Sequence, residues 1–140
     1  MEIMVVIGIL ATISFIVFAF FNNYRKVQGI RQDGELIESL LYNARNDTLS
    51  SKSAYEYGVH FASSSVVVFQ GNTYVSATST NKTFSLTSGV VVSGLSLGAG
   101  VVDIVFNKLS GEPSRSGTIT LTSTSGGVKV ITVYPTGLIE

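Results

Sequence analysis

Glu2 is the residue of this sequence with the clearest chemical consequence, because it stands at the head of an uncharged run of nineteen residues, 3–21. A carboxylate beside so much apolar surface is costly whenever that end of the run is buried without a partner. A neighbouring cation would offset the cost. We therefore predict that Glu2 pairs with a cationic group.

The other side chains that could carry chemistry are isolated from one another. His60 is the single histidine, and no Asp or Glu accompanies it in a metal-ligand spacing, so we predict a structural or surface histidine and no metal site. A serine nucleophile would have to use this one histidine as its base, and serines in strand-and-turn sequence are usually polar surface. The absence of cysteine excludes thiolate catalysis, disulfides and Cys-ligated zinc. The sequence predicts a protein that is not an enzyme and uses no cofactor.

Charge gives little reason to expect nucleic acid as a partner. Nine basic residues balance nine acidic ones, so no overall field attracts a polyanion. Lys108, Arg115 and Lys129 could form a small basic cluster, but three charges bind phosphates only weakly. A DNA-binding function is therefore the alternative to the function predicted below.

Two helical segments precede the rest of the chain. The run 3–21 matches a bilayer core of roughly 30 Å at about 1.5 Å per residue, so residues 1–28 are predicted to form a transmembrane or filament-core helix. Residues 29–52 are predicted to continue this helix as an amphipathic segment, with a flexible junction near Gly29 and Gly34. Apolar residues recur there at spacings of three and four: Leu36, Ile37, Leu40, Leu41 and Ala44.

From residue 53 to residue 140 the pattern changes to short apolar runs and alternation, which predicts a β-rich head. The clearest hairpin joins 118–124 to 128–134 through Ser125-Gly126-Gly127. Strands are predicted at 55–61, 66–69, 74–77, 83–86, 90–97, 101–106, 118–124 and 129–134. The predicted fold class is α+β, a long N-terminal hydrophobic helix packed on an antiparallel β-sandwich.

Residues 2–11, Glu-Ile-Met-Val-Val-Ile-Gly-Ile-Leu-Ala, resemble the N-terminal segment of type IV pilins and type II secretion pseudopilins. Further along, segments 41–45, 102–106, 110–113, 118–121, 130–133 and 136–139 resemble the H-type (GspH/FimT-like) minor pilins. The resemblance implies a long helix with a β-sandwich. The chain departs from many pilins in having no proline within residues 1–52.

The resemblance implies a structural subunit that enters the cytoplasmic membrane and assembles through its N-terminal helix into a type IV pilus or a type II secretion pseudopilus. Its partners would be other pilin or pseudopilin subunits. Glu2 would pair with the N-terminal amine of a neighbouring subunit. Helix packing would involve Ile3, Val6, Ile7 and Leu10.

The resemblance also implies processing and a location. A prepilin peptidase would remove a short basic leader, and three mature residues would precede Met1. The protein would lie in the cytoplasmic (inner) membrane as a single-pass protein with an extracytoplasmic β domain, and then in an extracellular or periplasmic filament. The alternative implied by the same group is a FimT-like minor pilin that binds DNA for uptake.

Overall fold

The structure is a computed structural model of the chain. It describes the backbone of residues 2–50, 54–98 and 100–140, and the side chains of these residues except 2 and 19–27. The side chain of Glu2 therefore lies outside the described residues. Its predicted pairing with a cationic group stays a prediction.

One helix, α1 (Glu2–Leu49), forms the first third of the chain. No proline interrupts it, and the predicted stripe in its second half is confirmed: Ile37, Leu40, Leu41 and Ala44 are buried, and Leu36 packs against the core. The end of the helix is joined to the first strand through a buried threonine. Thr48 Oγ1 donates to the Ala44 carbonyl oxygen and accepts the Tyr57 N–H, both at 2.9 Å.

In the described residues after the helix, seven strands form two antiparallel sheets. The four-stranded sheet has the order β3-β2-β1-β5 and the three-stranded sheet has the order β4-β6-β7. The strands are β1 (Tyr57–Phe61), β2 (Ser65–Gln70), β3 (Lys82–Ser85), β4 (Val90–Ser96), β5 (Asp103–Val105), β6 (Gly117–Ser123) and β7 (Val128–Val133).

The hydrophobic core lies where the second half of α1 meets both sheets. Alternation along each strand places every second side chain in this core, as in β6, where Ile119 and Leu121 are fully buried. The predicted hairpin is confirmed, since β6 pairs with β7 in the register Ile119↔Ile131. The predicted strand at 74–77 is wrong, because that segment is a loop.

The helix continues through Gly29 and Gly34, as predicted, and the flexibility of this junction stays a prediction. Each glycine allows a close contact between the helix and the β-rich head. A Cβ atom at Gly29 would lie 2.9 Å from the Thr87 methyl carbon, and one at Gly34 would lie 3.0 Å from Lys129 Cγ. A side chain at Gly29 would crowd the connection between β3 and β4, and one at Gly34 would crowd strand β7.

The predicted fold class is wrong about the part of the helix that packs on the sheets. The amphipathic half packs, whereas the apolar residues 3–18 are exposed. In the described part of the chain, no helix is both long enough and apolar enough to span a membrane. This finding contradicts the predicted transmembrane helix and the single-pass inner-membrane location.

Candidate assembly surface

The most unusual surface of the described molecule is the part of α1 formed by residues 3–18, which we call the apolar segment. Its large hydrophobic side chains are between 51% and 79% exposed. Single exposed hydrophobic residues are ordinary on proteins, but a contiguous set of this size marks an interaction surface. The twelve residues are Ile3, Met4, Val5, Val6, Ile7, Ile9, Leu10, Ile13, Phe15, Ile16, Val17 and Phe18.

The apolar segment has no polar face. Successive residues of an α-helix point about 100° apart, so the three consecutive residues Val5, Val6 and Ile7 already cover more than half of the circumference. All three are more than half exposed. A helix that is hydrophobic on every side is a buried helix in its working state. A contact along one side would leave most of this surface in water.

The two hydroxyl groups of the apolar segment do not oppose burial. Thr12 Oγ1 donates to the Ile9 carbonyl oxygen at 2.8 Å, and Ser14 Oγ donates to the Leu10 carbonyl oxygen at 2.8 Å. Both hydroxyl donors are therefore satisfied within the helix itself. An ideal Cβ at Gly8 would have no atom within 4 Å, which leaves an open place where another backbone could approach.

The predicted packing residues lie on this surface. Ile3 is 75% exposed, Val6 54%, Ile7 61% and Leu10 59%. Their exposure makes them available for contacts outside the chain, and their predicted role in assembly stays a prediction. The other large side chains of the apolar segment are exposed to a similar degree, so exposure alone does not set these four apart.

Among the polar contacts of the described residues, four join the second half of α1 to the head, one of them to strand β7 and three to segments outside the strands. Asp33, which is only 4% exposed, accepts hydrogen bonds from the Thr87 N–H at 2.9 Å and from the Thr87 hydroxyl at 3.0 Å. Glu38 Oε1 lies 3.0 Å from Lys129 Nζ. These contacts set the direction in which the apolar segment extends from the head.

The remaining two contacts lie nearer the end of the helix. The Tyr42 hydroxyl donates to the Ile139 carbonyl oxygen at 2.9 Å, and Arg45 Nε donates to the Gly111 carbonyl oxygen at 3.0 Å. Sequence reasoning missed all four contacts, because each joins residues at least 54 positions apart. Asp33 could have been suspected only as an acidic residue close to the apolar stripe.

The basic residues considered for DNA binding have different partners in the head. Lys129 forms the ion pair with Glu38, and Lys108 Nζ donates to the Ala54 carbonyl oxygen. Arg115 is exposed. Two of the three charges therefore already have partners within the chain, and a polyanion would have to compete for them.

His60 occupies a packed polar cluster on the four-stranded sheet. Its Nδ1 lies 2.5 Å from Asp103 Oδ1, and the Tyr74 ring stacks on the imidazole with centroids 3.8 Å apart. Within the described part of the chain, no group of three or more His, Cys, Asp or Glu side chains could hold a metal ion. This contact between His60 and Asp103 was not predicted, since the two residues are 43 positions apart.

No protein-family model, curated protein or solved structure matches the chain. The similarity to pilins therefore rests on the sequence segments quoted above.

Proposed function

We propose that this protein is a structural subunit that assembles with further pilin-like subunits into a pilus or pseudopilus, through the apolar segment of α1. The observation that carries the proposal is the exposure of the apolar segment on all sides, while the second half of the same helix is packed into the folded head. The resemblance of residues 2–11 to the N-terminal segment of pilins supports the same function.

The size of the apolar segment argues for several neighbours. Burying a large aliphatic side chain contributes about 1.5–3 kcal/mol, so completing the burial of half-exposed side chains contributes roughly 1 kcal/mol each. One side of the helix, with about four such residues, would contribute roughly 4 kcal/mol. This only matches the lower estimate of the cost of association, about 4–15 kcal/mol. Covering the whole circumference contributes about three times as much, which favours a bundle of helices over a pair.

A matched pair of valine substitutions tests the proposal. Val6 lies in the apolar segment and is 54% exposed, whereas Val75 lies in a loop of the head and is 58% exposed. In an assembled bundle, Val6→Asp would bury a carboxylate without a partner, a cost of several kcal/mol. Val75→Asp changes the same residue type at the same exposure without touching the segment.

We expect the full chain to form large particles when it is diluted out of a mild detergent, as measured by sedimentation and electron microscopy. The Val75→Asp variant should assemble as the wild type does, and the Val6→Asp variant should stay in the supernatant. Circular dichroism should show the same secondary structure for both variants. If the Val6→Asp variant forms the same particles as the Val75→Asp variant, the apolar segment is not the assembly surface.

A further inference from the structure

Strand β3 lies at the edge of the four-stranded sheet, and in the described part of the chain no strand pairs with its outer side. The register shows which backbone groups point outward. The Leu86 N–H donates to the Ser64 carbonyl oxygen, which continues the pairing of β2 with β3. Bonded pairs alternate along antiparallel strands, so Phe84 also bonds to β2, whereas the N–H and C=O groups of Thr83 and Ser85 point away from it.

The outward groups of β3 are open to a partner. Thr83 and Ser85 are both exposed, and no hydrogen bond of the described residues uses their outward N–H or C=O groups. Backbone groups in this arrangement form the template on which a sheet accepts a further strand. Because β3 is four residues long and begins with a lysine, it does not invite indiscriminate pairing. A partner strand therefore needs side chains that match the neighbouring surface.

A groove lies beside this edge, on the side of the sheet that faces α1. Its two halves have volumes of about 280 Å³ and 270 Å³, and both are lined by Asp47, Val68 and Lys82. Leu40 of α1 and Phe84 of β3 line the second half. Alternation places Lys82 and Phe84 on the same face of β3. A strand added to β3 would therefore turn every second side chain into this groove.

The two side chains of β3 that line the groove specify the chemistry of the partner. In an antiparallel strand added to β3, the residues opposite Phe84 and Lys82 are two positions apart, and both turn toward the groove. Half-buried Phe84, with Leu40 in the same groove, favours an apolar residue opposite it. Lys82 is exposed and has no ion-pair partner within the described residues, so it favours a carboxylate. Asp47, the other charged residue of the groove, already has a partner.

We propose that β3 binds an extended segment of another protein, which adds to the sheet as an antiparallel strand and carries an apolar residue followed two positions later by Asp or Glu. The residue between these two exchanges hydrogen bonds with Thr83, and the residue before the apolar one does so with Ser85. A second copy of β3 does not meet these requirements, because the strand has no acidic residue to place opposite Lys82. This inference concerns the head and goes beyond the proposed assembly through the apolar segment.

Synthetic peptides test the proposal on the full chain, which is kept dispersed in a mild detergent. The fluorescein-labelled peptide Thr-Thr-Val-Thr-Glu-Thr-Thr has its valine and glutamate two positions apart, and its binding is measured by fluorescence anisotropy. A comparison peptide, Thr-Thr-Val-Glu-Thr-Thr-Thr, has the same composition, but its valine and glutamate turn to opposite faces of a strand. Two further peptides carry one N-methyl group each, either on the threonine between valine and glutamate or on the valine itself. Only the first of these groups removes a hydrogen bond to β3.

We expect the first peptide to bind, and the comparison peptide to bind roughly ten-fold more weakly, because it loses a cross-strand pair. The N-methyl group on the intervening threonine should weaken binding to a similar degree, and the one on the valine should leave binding unchanged. Lys82→Glu should reverse the preference, so that a peptide with lysine in place of glutamate binds more tightly. Lys108→Glu makes the same change of charge outside the groove and should have no effect on either peptide.

A proline at the edge separates strand addition from pairing between copies of the chain. Thr83→Pro removes one outward N–H and leaves the bonds between β2 and β3 in place, so the sheet should tolerate it. This variant should lose peptide binding and sediment as the wild type does in the absence of peptide. A change in its sedimentation would show that β3 pairs with a second copy and would overturn the proposal. No binding of the first peptide, equal binding of the first and comparison peptides, or equal effects of the two N-methyl groups would also overturn it.

Discussion

Asp33 offers the sharpest test of how α1 is fixed to the head. Its carboxylate accepts two hydrogen bonds from Thr87 and is 4% exposed. Hydrogen bonds to a charged group contribute about 1.5–3 kcal/mol each, and the lower figure applies here because Thr87 is exposed and water can replace the lost partner. The two bonds together therefore contribute roughly 3 kcal/mol.

Replacing the carboxylate also removes a cost. Burying the charged group opposes folding, and alanine has a higher helix propensity than aspartate, which together return about 1 kcal/mol. We expect Asp33→Ala to lower the free energy of unfolding by about 2 kcal/mol. Asp33→Asn keeps one acceptor oxygen and should cost about half as much, as should Thr87→Val, which removes only the hydroxyl donor.

Chemical and thermal unfolding followed by circular dichroism would measure these changes. For a chain of this size, 2 kcal/mol corresponds to a fall in Tm of roughly 8 °C. Glu35→Ala, an exposed acidic residue on the same helix, is the matched control and should stay within about 0.5 kcal/mol of the wild type. An Asp33→Ala variant as stable as the control would refute the reasoning, because desolvation would then outweigh both hydrogen bonds.

Two further predictions concern a glycine in a strand and a tyrosine near the end of the chain. Gly58→Ala should lower the free energy of unfolding by about 2–3 kcal/mol, because the added Cβ would lie 2.5 Å from the Phe69 ring. Gly94→Ala is the control: its Cβ would lie 3.7 Å from the nearest atom, so it should be close to neutral in the same denaturation assay. Equal effects of the two substitutions would contradict the steric argument. The Tyr134 hydroxyl donates a hydrogen bond to the Glu140 carboxylate, and this bond, together with the negative charge of the carboxylate, raises the pKa of Tyr134. The phenol therefore keeps its proton to higher pH in the folded chain, and the bond is lost as the pH rises through the raised pKa. Glu140→Gln should therefore move the Tyr134 titration, followed by NMR, to lower pH, and an unchanged midpoint would show that the bond does not form.

Local patterns in the sequence were sufficient for much of the secondary structure. The stripe from Leu36 to Ala44 identified the buried face of α1 because helical periodicity is a local property. The hairpin of β6 and β7 followed from Ser125-Gly126-Gly127, since a short glycine-containing turn dictates which strands pair. The run 3–21 was recognised as apolar, but its predicted crossing of a membrane was wrong for the described residues.

The tertiary structure alone decided which distant residues meet. The segment 74–77 is short and largely apolar, like several of the strands, yet it forms a loop in which Tyr74 stacks on His60. Local preference for a strand is weak, and tertiary contacts override it. The strand order β3-β2-β1-β5 and the contacts of Asp33 with Thr87 and of His60 with Asp103 join residues far apart along the chain. Such contacts depend on the packing of the whole core, which no local pattern of residues specifies.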